Sequence, residues 1–137
     1  MPSQIDYLNP SNAPPAQGLY SHATRVSGGS LLFVAGQLAV GTNGDVVGKG
    51  DFEAQFHQVF KNLAVVLQGI GGDFRSVVKF TTYLVHSQDI DRFMALRAAL
   101  FPGLFPNRLY PPNTLLIVDR LVKEDFLLEV EAVVGSG

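Results

Sequence analysis

Between Phe52 and Ile70 an apolar residue returns at every third or fourth position: Phe52, Phe56, Val59, Phe60, Leu63, Val66, Leu67 and Ile70. That period matches an α-helix with a single apolar stripe, whereas a strand, with its period of two, would throw these side chains onto both faces. The boundaries agree, since Asp51 is placed to cap the first turn and Gly71-Gly72 to stop the last. Such a stripe must be buried against something, and the flanking segments are rich in the β-branched and aromatic residues of strands.

The spacing predicts a hairpin from Thr24–Val26 and Leu31–Val34 around the turn Ser27–Ser30, and a short strand over Asp45–Gly48 after the turn Gly41–Gly44. Val77–Val85 reads as a strand, and Asp89–Phe101 as a second helix ended by Pro102-Gly103. Thr114–Val118 and Leu127–Val134 read as two closing strands. Residues 1–19 hold four prolines and read as an extended arm. Strands outnumber helices, so the expected fold class is α+β: one sheet with both helices on one face, forming a single domain over residues 1–137.

Several strands carry Val, Leu or Phe at both alternations, which leaves the second face of the sheet apolar and without a cover. Charged residues make up 16% of the chain, below the roughly 25% of an ordinary soluble domain, while 47% are hydrophobic. Both observations favour self-association over a merely plain surface. The absence of cysteine rules out disulfides, thiolate catalysis and cysteine metal sites. A net charge of −2 and a pI of about 5.8 offer no general pull toward nucleic acid or anionic lipid. His22, His57 and His86 are spread over arm, helix and strand end without metal spacing, so no metal is expected. No segment reaches the ~20 apolar residues of a membrane span, and the N-terminus lacks the basic start and apolar run of a signal peptide. Residence in the cytoplasm is the expectation.

Few residues carry chemistry. On the last strand Glu129 and Glu131 share a face, opposite Leu128, Val130 and Ala132. Two carboxylates side by side need either a solvated sheet face or a polar pocket, and in a pocket one of them can activate a water. Arg97 stands four residues after Phe93 and four before Phe101, with no acid three or four positions away. It reads either as a snorkelling surface arginine or as a cation aimed into a site. Tyr20 is either a packed aromatic or a hydroxyl offered to a ligand. Arg120 is expected to pair with Glu124 or Asp125. Lys79 reads as a strand-edge charge, and the paired glycines as turns, since a phosphate loop needs a strand before it and a helix after it.

Four blocks carry a resemblance: Val59–Phe93, Phe33–Val40 (FVAGQLAV), Gly18–Ala23 (GLYSHA) and Asp119–Val134 (DRLVKEDFLLEVEAVV). Together they resemble the RidA/YjgF family, also called Rid or endoribonuclease L-PSP. The resemblance implies a chorismate mutase-like fold and a barrel-like homotrimer with clefts between subunits. It also implies hydrolysis of reactive enamines and imines to ketoacids and ammonia, with no cofactor. Site positions follow residue by residue. The family's tyrosine matches Tyr20, with Leu19 in place of proline. The glycine of its S-G-Q motif matches Gly36, beside Gln37, with Ala35 in place of serine. The glutamate of its last strand matches Glu131, and Glu129 is left as structural. Where the deaminase subgroup has an arginine before the fourth strand, this chain has Asn113, followed by Thr114. The subgroup's cleft asparagine aligns with Arg97. The two residues would thus be exchanged, Arg97 gripping an anionic group and Asn113 taking the amide role.

The expected function is therefore a cofactor-independent enamine or imine deaminase acting on a substrate other than 2-aminoacrylate. Glu131 and Tyr20 would be catalytic, and Arg97, Asn113, Thr114, Gly36 and Gln37 would bind the small molecule, with carboxylates among the ligand classes. The rival is a non-catalytic binding protein using the same cleft. A ribonuclease or translation inhibitor would need a basic stripe with interleaved aromatics or a histidine pair, and the chain has neither.

Overall fold

The long stripe folds as α1, Phe52–Gly69, and the Asp51 carboxylate accepts a hydrogen bond from the Ala54 N–H at 3.1 Å. Gly71, at φ 84°, turns the chain out of the helix in a conformation that other residues rarely adopt. The computed structural model describes residues 2–136; Met1 and Gly137 lie outside the described residues. Six strands are β1 Gln4–Leu8, β2 Ala23–Ser27, β3 Leu31–Gln37, β4 Val77–Leu84, β5 Asn113–Ile117 and β6 Leu128–Gly135. The second helix, α2, spans Ile90–Leu104.

Four strands form a mixed sheet in the order β3-β6-β4-β5, with only β4 and β5 parallel. The fold class is α+β, and both helices share one core with the sheet face made by Val34, Phe80, Leu84, Leu128, Val130, Ala132 and Val134. Phe60 of α1 ties the layers together. Its ring meets Phe80 of β4 at 6.2 Å and Phe101 of α2 at 5.7 Å, both edge to face. The opposite face is uncovered in the single chain, where Phe33 is 78% exposed and Leu31 and Leu116 are also open.

Four local expectations need correcting. β2 does not form a hairpin with β3; it pairs antiparallel with β1, while β3 pairs with β6. Gly28 and Gly29, both at positive φ, turn the chain so that β3 meets the far end of the sequence rather than its neighbour. The first stretch of the expected arm is consequently a strand. Asp45–Gly48 contributes only an isolated bridge between Val46 and Val40. Finally, α2 runs through Pro102 to Leu104. In a last turn a proline forfeits one backbone hydrogen bond, and the Phe105 N–H still reaches the Phe101 carbonyl at 2.9 Å.

One buried polar residue positions the strand that matters most. Gln55 of α1 is fully buried, donates to the carbonyls of Gly48 (3.1 Å) and Asp125 (2.8 Å), and accepts from the Leu127 N–H at 2.9 Å. These bonds fix the entry into β6. Arg120 pairs with Glu124 at 2.8 Å, as the sequence suggested. Among the described residues no helix is long and apolar enough to cross a membrane.

Candidate active site

The alternation of β6 sends Leu128, Val130, Ala132 and Val134 into the core and leaves Glu129 and Glu131 half-buried on the uncovered face. On β4 the partners in register are Tyr83 opposite Glu129 and Thr81 opposite Glu131. The Tyr83 hydroxyl crosses diagonally and donates to Glu131 Oε1 at 2.7 Å. That bond, accepted by a carboxylate, pushes the Tyr83 hydroxyl pKa up. Glu131 is thereby oriented from the side.

Glu129 has a different setting. The ladder between β3 and β6 shifts register between Val34 and Gln37, and Gly36 sits in this irregular stretch. A Cβ on Gly36 would collide with Glu129 Oε2 and lie 2.6 Å from the carboxyl carbon. The glycine is what lets the carboxyl lie against the β3 backbone. Gln37 folds back and donates to the Ala35 carbonyl at 3.0 Å. Burial, and secondly the charge of Glu131, hold the Glu129 carboxyl above the usual carboxylate range. No described side chain donates to it. The expectation that Glu129 is merely structural overlooked this contact; a glycine facing a strand carboxylate was the signal available in FVAGQ.

Arg97 is not a snorkelling surface residue. It is 2% exposed, and its only hydrogen-bond partner among the described residues is a thioether: Nη2 donates to Met94 Sδ at 3.0 Å. Its guanidinium carbon lies 5.2 Å from the centroid of the Phe93 ring, and Nε has no partner. No described acid comes within ion-pairing distance. Burial lowers its pKa, opposed by nearby Tyr20, yet a guanidinium keeps its proton. Removing such an ion from water costs several kcal/mol that only a counter-charge and hydrogen bonds would offset. The exposed Gly18 lies directly above, where a Cβ would collide with Nη2. Tyr20 belongs to the same segment, its hydroxyl accepting from the Gln17 N–H at 3.1 Å.

Asn113 sits on β5 level with Phe80, and its Oδ1 accepts from the buried Thr82 hydroxyl at 2.8 Å. Thr114 is exposed beside Thr81 on the uncovered face. The expected convergence is therefore incomplete within one chain. Among the described residues no hydrogen bond or ion pair joins Arg97 to Asn113, Glu129 or Glu131. The candidate residues fall into two groups: Arg97 and Tyr20 beneath and within the arm, and Gly36, Gln37, Glu129, Glu131 and Tyr83 on the sheet. Among the described residues no cluster of three potential metal-binding groups occurs.

Comparison with known proteins sets this geometry among relatives. Residues 10–135 match the family model described as Endoribonuclease L-PSP. A RutC family protein of Pyrococcus horikoshii is 34% identical over 122 residues, spanning 89% of this chain and 90% of the relative. The 3-aminoacrylate deaminase RutC of Acinetobacter baylyi is 29% identical over 133 residues, spanning 97% and 98%. Among solved structures, YyfB of Yersinia pestis, a Rid-family protein of unknown function, superposes with a TM-score of 0.84 at 32% identity. The superposition covers 96% of this chain and 98% of that one.

Proposed function

This chain belongs to the endoribonuclease L-PSP family, the RidA/YjgF or Rid family, and on that premise we propose that it is a cofactor-independent deaminase of enamines or imines. Its relatives include deaminases. The observation that carries the reading is Glu129: a half-buried carboxyl, pushed up in pKa, without a donor among the described residues, and seated against a glycine whose missing side chain leaves it room. Such a group takes a proton from water near neutral pH better than a fully solvated carboxylate does.

In this reading an enamine first takes a proton at carbon and gives one up from nitrogen, which makes it the imine. Water beside Glu129 then attacks the C=N carbon while its proton passes to the carboxylate. The proton returns to nitrogen, ammonia leaves, and the carbonyl forms: one C=NH and one water give one C=O and one NH3. Glu131, steadied by Tyr83, supplies the second charge that raises the proton affinity of Glu129. Gly36 and Gln37 shape the floor, and Tyr20 offers a hydroxyl to the ligand. Thr114 lies on the same open face as the carboxylates. Asn113, standing where the deaminase subgroup has arginine, argues for a substrate other than 2-aminoacrylate.

The active form is a homotrimer whose clefts join the two half-sites of neighbouring chains. Support comes from the exposed Phe33, Leu31 and Leu116 on the sheet, and from Arg97 having no hydrogen bond or ion pair to the carboxylates among the described residues. Sedimentation equilibrium giving a 14.8 kDa monomer at micromolar concentration would overturn the assembly. For the chemistry, ammonia release from a panel of enzymatically generated imines is compared among wild type, Glu129→Gln and Glu131→Gln. Glu129→Gln should lose about 100-fold or more, the usual worth of a positioned base. Loss in Glu131→Gln alone would reassign the base to Glu131. A protein that binds ligands but releases no ammonia would be a binding protein built on the same cleft.

A further inference from the structure

Of the two methionines in the chain, Met1 lies outside the described residues and Met94 stands in the first half of α2. Met94 precedes Arg97 by three positions, which brings the two side chains together on one helix face. Arg97 Nη2 donates to Met94 Sδ at 3.0 Å, and Nε has no partner. A cation only 2% exposed is thus aimed at a thioether, which is a weak acceptor. That acceptor can be changed in place. A thioether takes up one oxygen atom to become a sulfoxide, a polar group in place of an apolar one. Met94 is half-buried, and the segment above its sulfur carries no side chain there. The residue at that point is the exposed Gly18, on which a Cβ would stand 3.4 Å from Sδ.

We propose that Met94 is an oxidation site, at which a peroxide turns the thioether into a sulfoxide and the new oxygen becomes the acceptor that the buried Arg97 guanidinium lacks. A sulfur lone pair attacks one peroxide oxygen, the S–O bond forms and the O–O bond breaks. The proton on the attacked oxygen passes to the departing one, which leaves as water. Sulfur is oxidised by two electrons and the peroxide is reduced; Arg97 keeps its proton throughout. The methionine side chain has three rotatable bonds, so the sulfur can draw back until its oxygen faces Nη2. In an ordinary packed setting the sulfoxide is disruptive, because a polar group replaces an apolar one. Here the added polarity meets a buried cation without an acid beside it, and the sign of the effect reverses. Oxidation thereby decides whether Arg97 has N–H groups to offer or has them occupied from within its own helix.

The assembled protein is treated with hydrogen peroxide, the peptide bearing Met94 is weighed by mass spectrometry, and melting is followed by circular dichroism. Met94 should gain one oxygen, and Tm should rise by roughly 3–8 °C, the effect of one hydrogen bond to a charged group in a domain of this size. Arg97→Leu should oxidise at Met94 with the opposite sign, a fall in Tm, because the new oxygen then has no donor. Met94→Leu should melt at the same temperature with and without peroxide, which excludes Met1 as the cause. Met94→Gln sets an amide oxygen where the sulfoxide oxygen would stand and should raise Tm without any oxidant, a check that holds even if Arg97→Leu does not fold. The proposal is overturned if Met94 stays unoxidised in the folded protein under peroxide that oxidises it in urea. It is equally overturned if oxidation leaves the wild-type Tm unchanged or lowers it, the result expected where a neighbouring chain already supplies Arg97 with an anion.

Discussion

Gly36→Ala separates folding from function more sharply than any other single change. The added Cβ would overlap Glu129 Oε2 and stand 2.6 Å from the carboxyl carbon and 2.7 Å from Cγ. Ordinary carbon contacts lie at about 3.5–4.0 Å, so the carboxyl carbon must retreat by roughly 1 Å. What it meets is the end of a flexible side chain, and Gly36 has no positive φ that alanine would resist. The stability cost should therefore be that of one strained rotamer, about 0.5–1.5 kcal/mol. For a domain of this size that lowers Tm by roughly 2–6 °C. The catalytic cost is larger, because a misplacement of about 1 Å at a reacting group costs on the order of 100-fold. Melting is followed by circular dichroism and turnover by ammonia release from a generated imine. Wild-type turnover in a folded Gly36→Ala protein would refute the placement of Glu129. A Tm drop well beyond 10 °C would mean that the methyl group strikes backbone instead.

Other outcomes follow from the same geometry. Because the folded protein holds the Glu129 proton more tightly than the unfolded chain does, stability falls as pH rises from the ordinary carboxylate range through the raised value. Glu129→Gln should accordingly raise Tm at pH 7, and the gain should vanish below about pH 4, where both forms are uncharged. Phe33→Asp should shift the sedimentation profile toward monomer, since burying a phenyl side chain at an interface contributes about 1.5–3 kcal/mol and an unpaired carboxylate there reverses it. Unchanged assembly would place the subunit contact elsewhere. Gln55→Leu should lower the denaturation free energy by about 3 kcal/mol, because it strands the Asp125 carbonyl and the Leu127 N–H, at about 1–3 kcal/mol for each buried group left unpaired, while the Gly48 carbonyl keeps its bond from the Asp51 N–H. A cost under 1 kcal/mol in urea titration would mean that water replaces the amide.

The parts of the fold that were legible are those with a local physical signature. α1 announced itself through its stripe and its Asp51 cap, and β6 through an alternation that put Glu129 and Glu131 on one face. Pairing partners were not legible, because β3 joins a strand nearly a hundred residues away and nothing in LLFVAGQ names it. The N-terminal strand was hidden by flanking prolines, which lie just outside Gln4–Leu8. In the site, the two glutamates and Arg97 stood out as charges on apolar elements. Their relative roles did not, since distinguishing Glu129 from Glu131 requires knowing which one faces Gly36 and which one Tyr83. Likewise, the lack of a helical acid near Arg97 left both burial and exposure open until the segment around Gly18 was placed above it.

The central claim is that Glu129, kept basic by burial and by Glu131, takes the proton from the attacking water. The pH dependence of kcat/KM for imine hydrolysis tests it most directly, since that profile reports the free enzyme's essential base. The acid limb of wild type should lie above the usual carboxylate range. Glu131→Gln should move it to lower pH while leaving substantial activity, because it removes a neighbouring charge and not the base. Glu129→Gln should abolish the limb together with the rate. An acid limb that stays fixed in Glu131→Gln, or that survives intact in Glu129→Gln, would contradict the account.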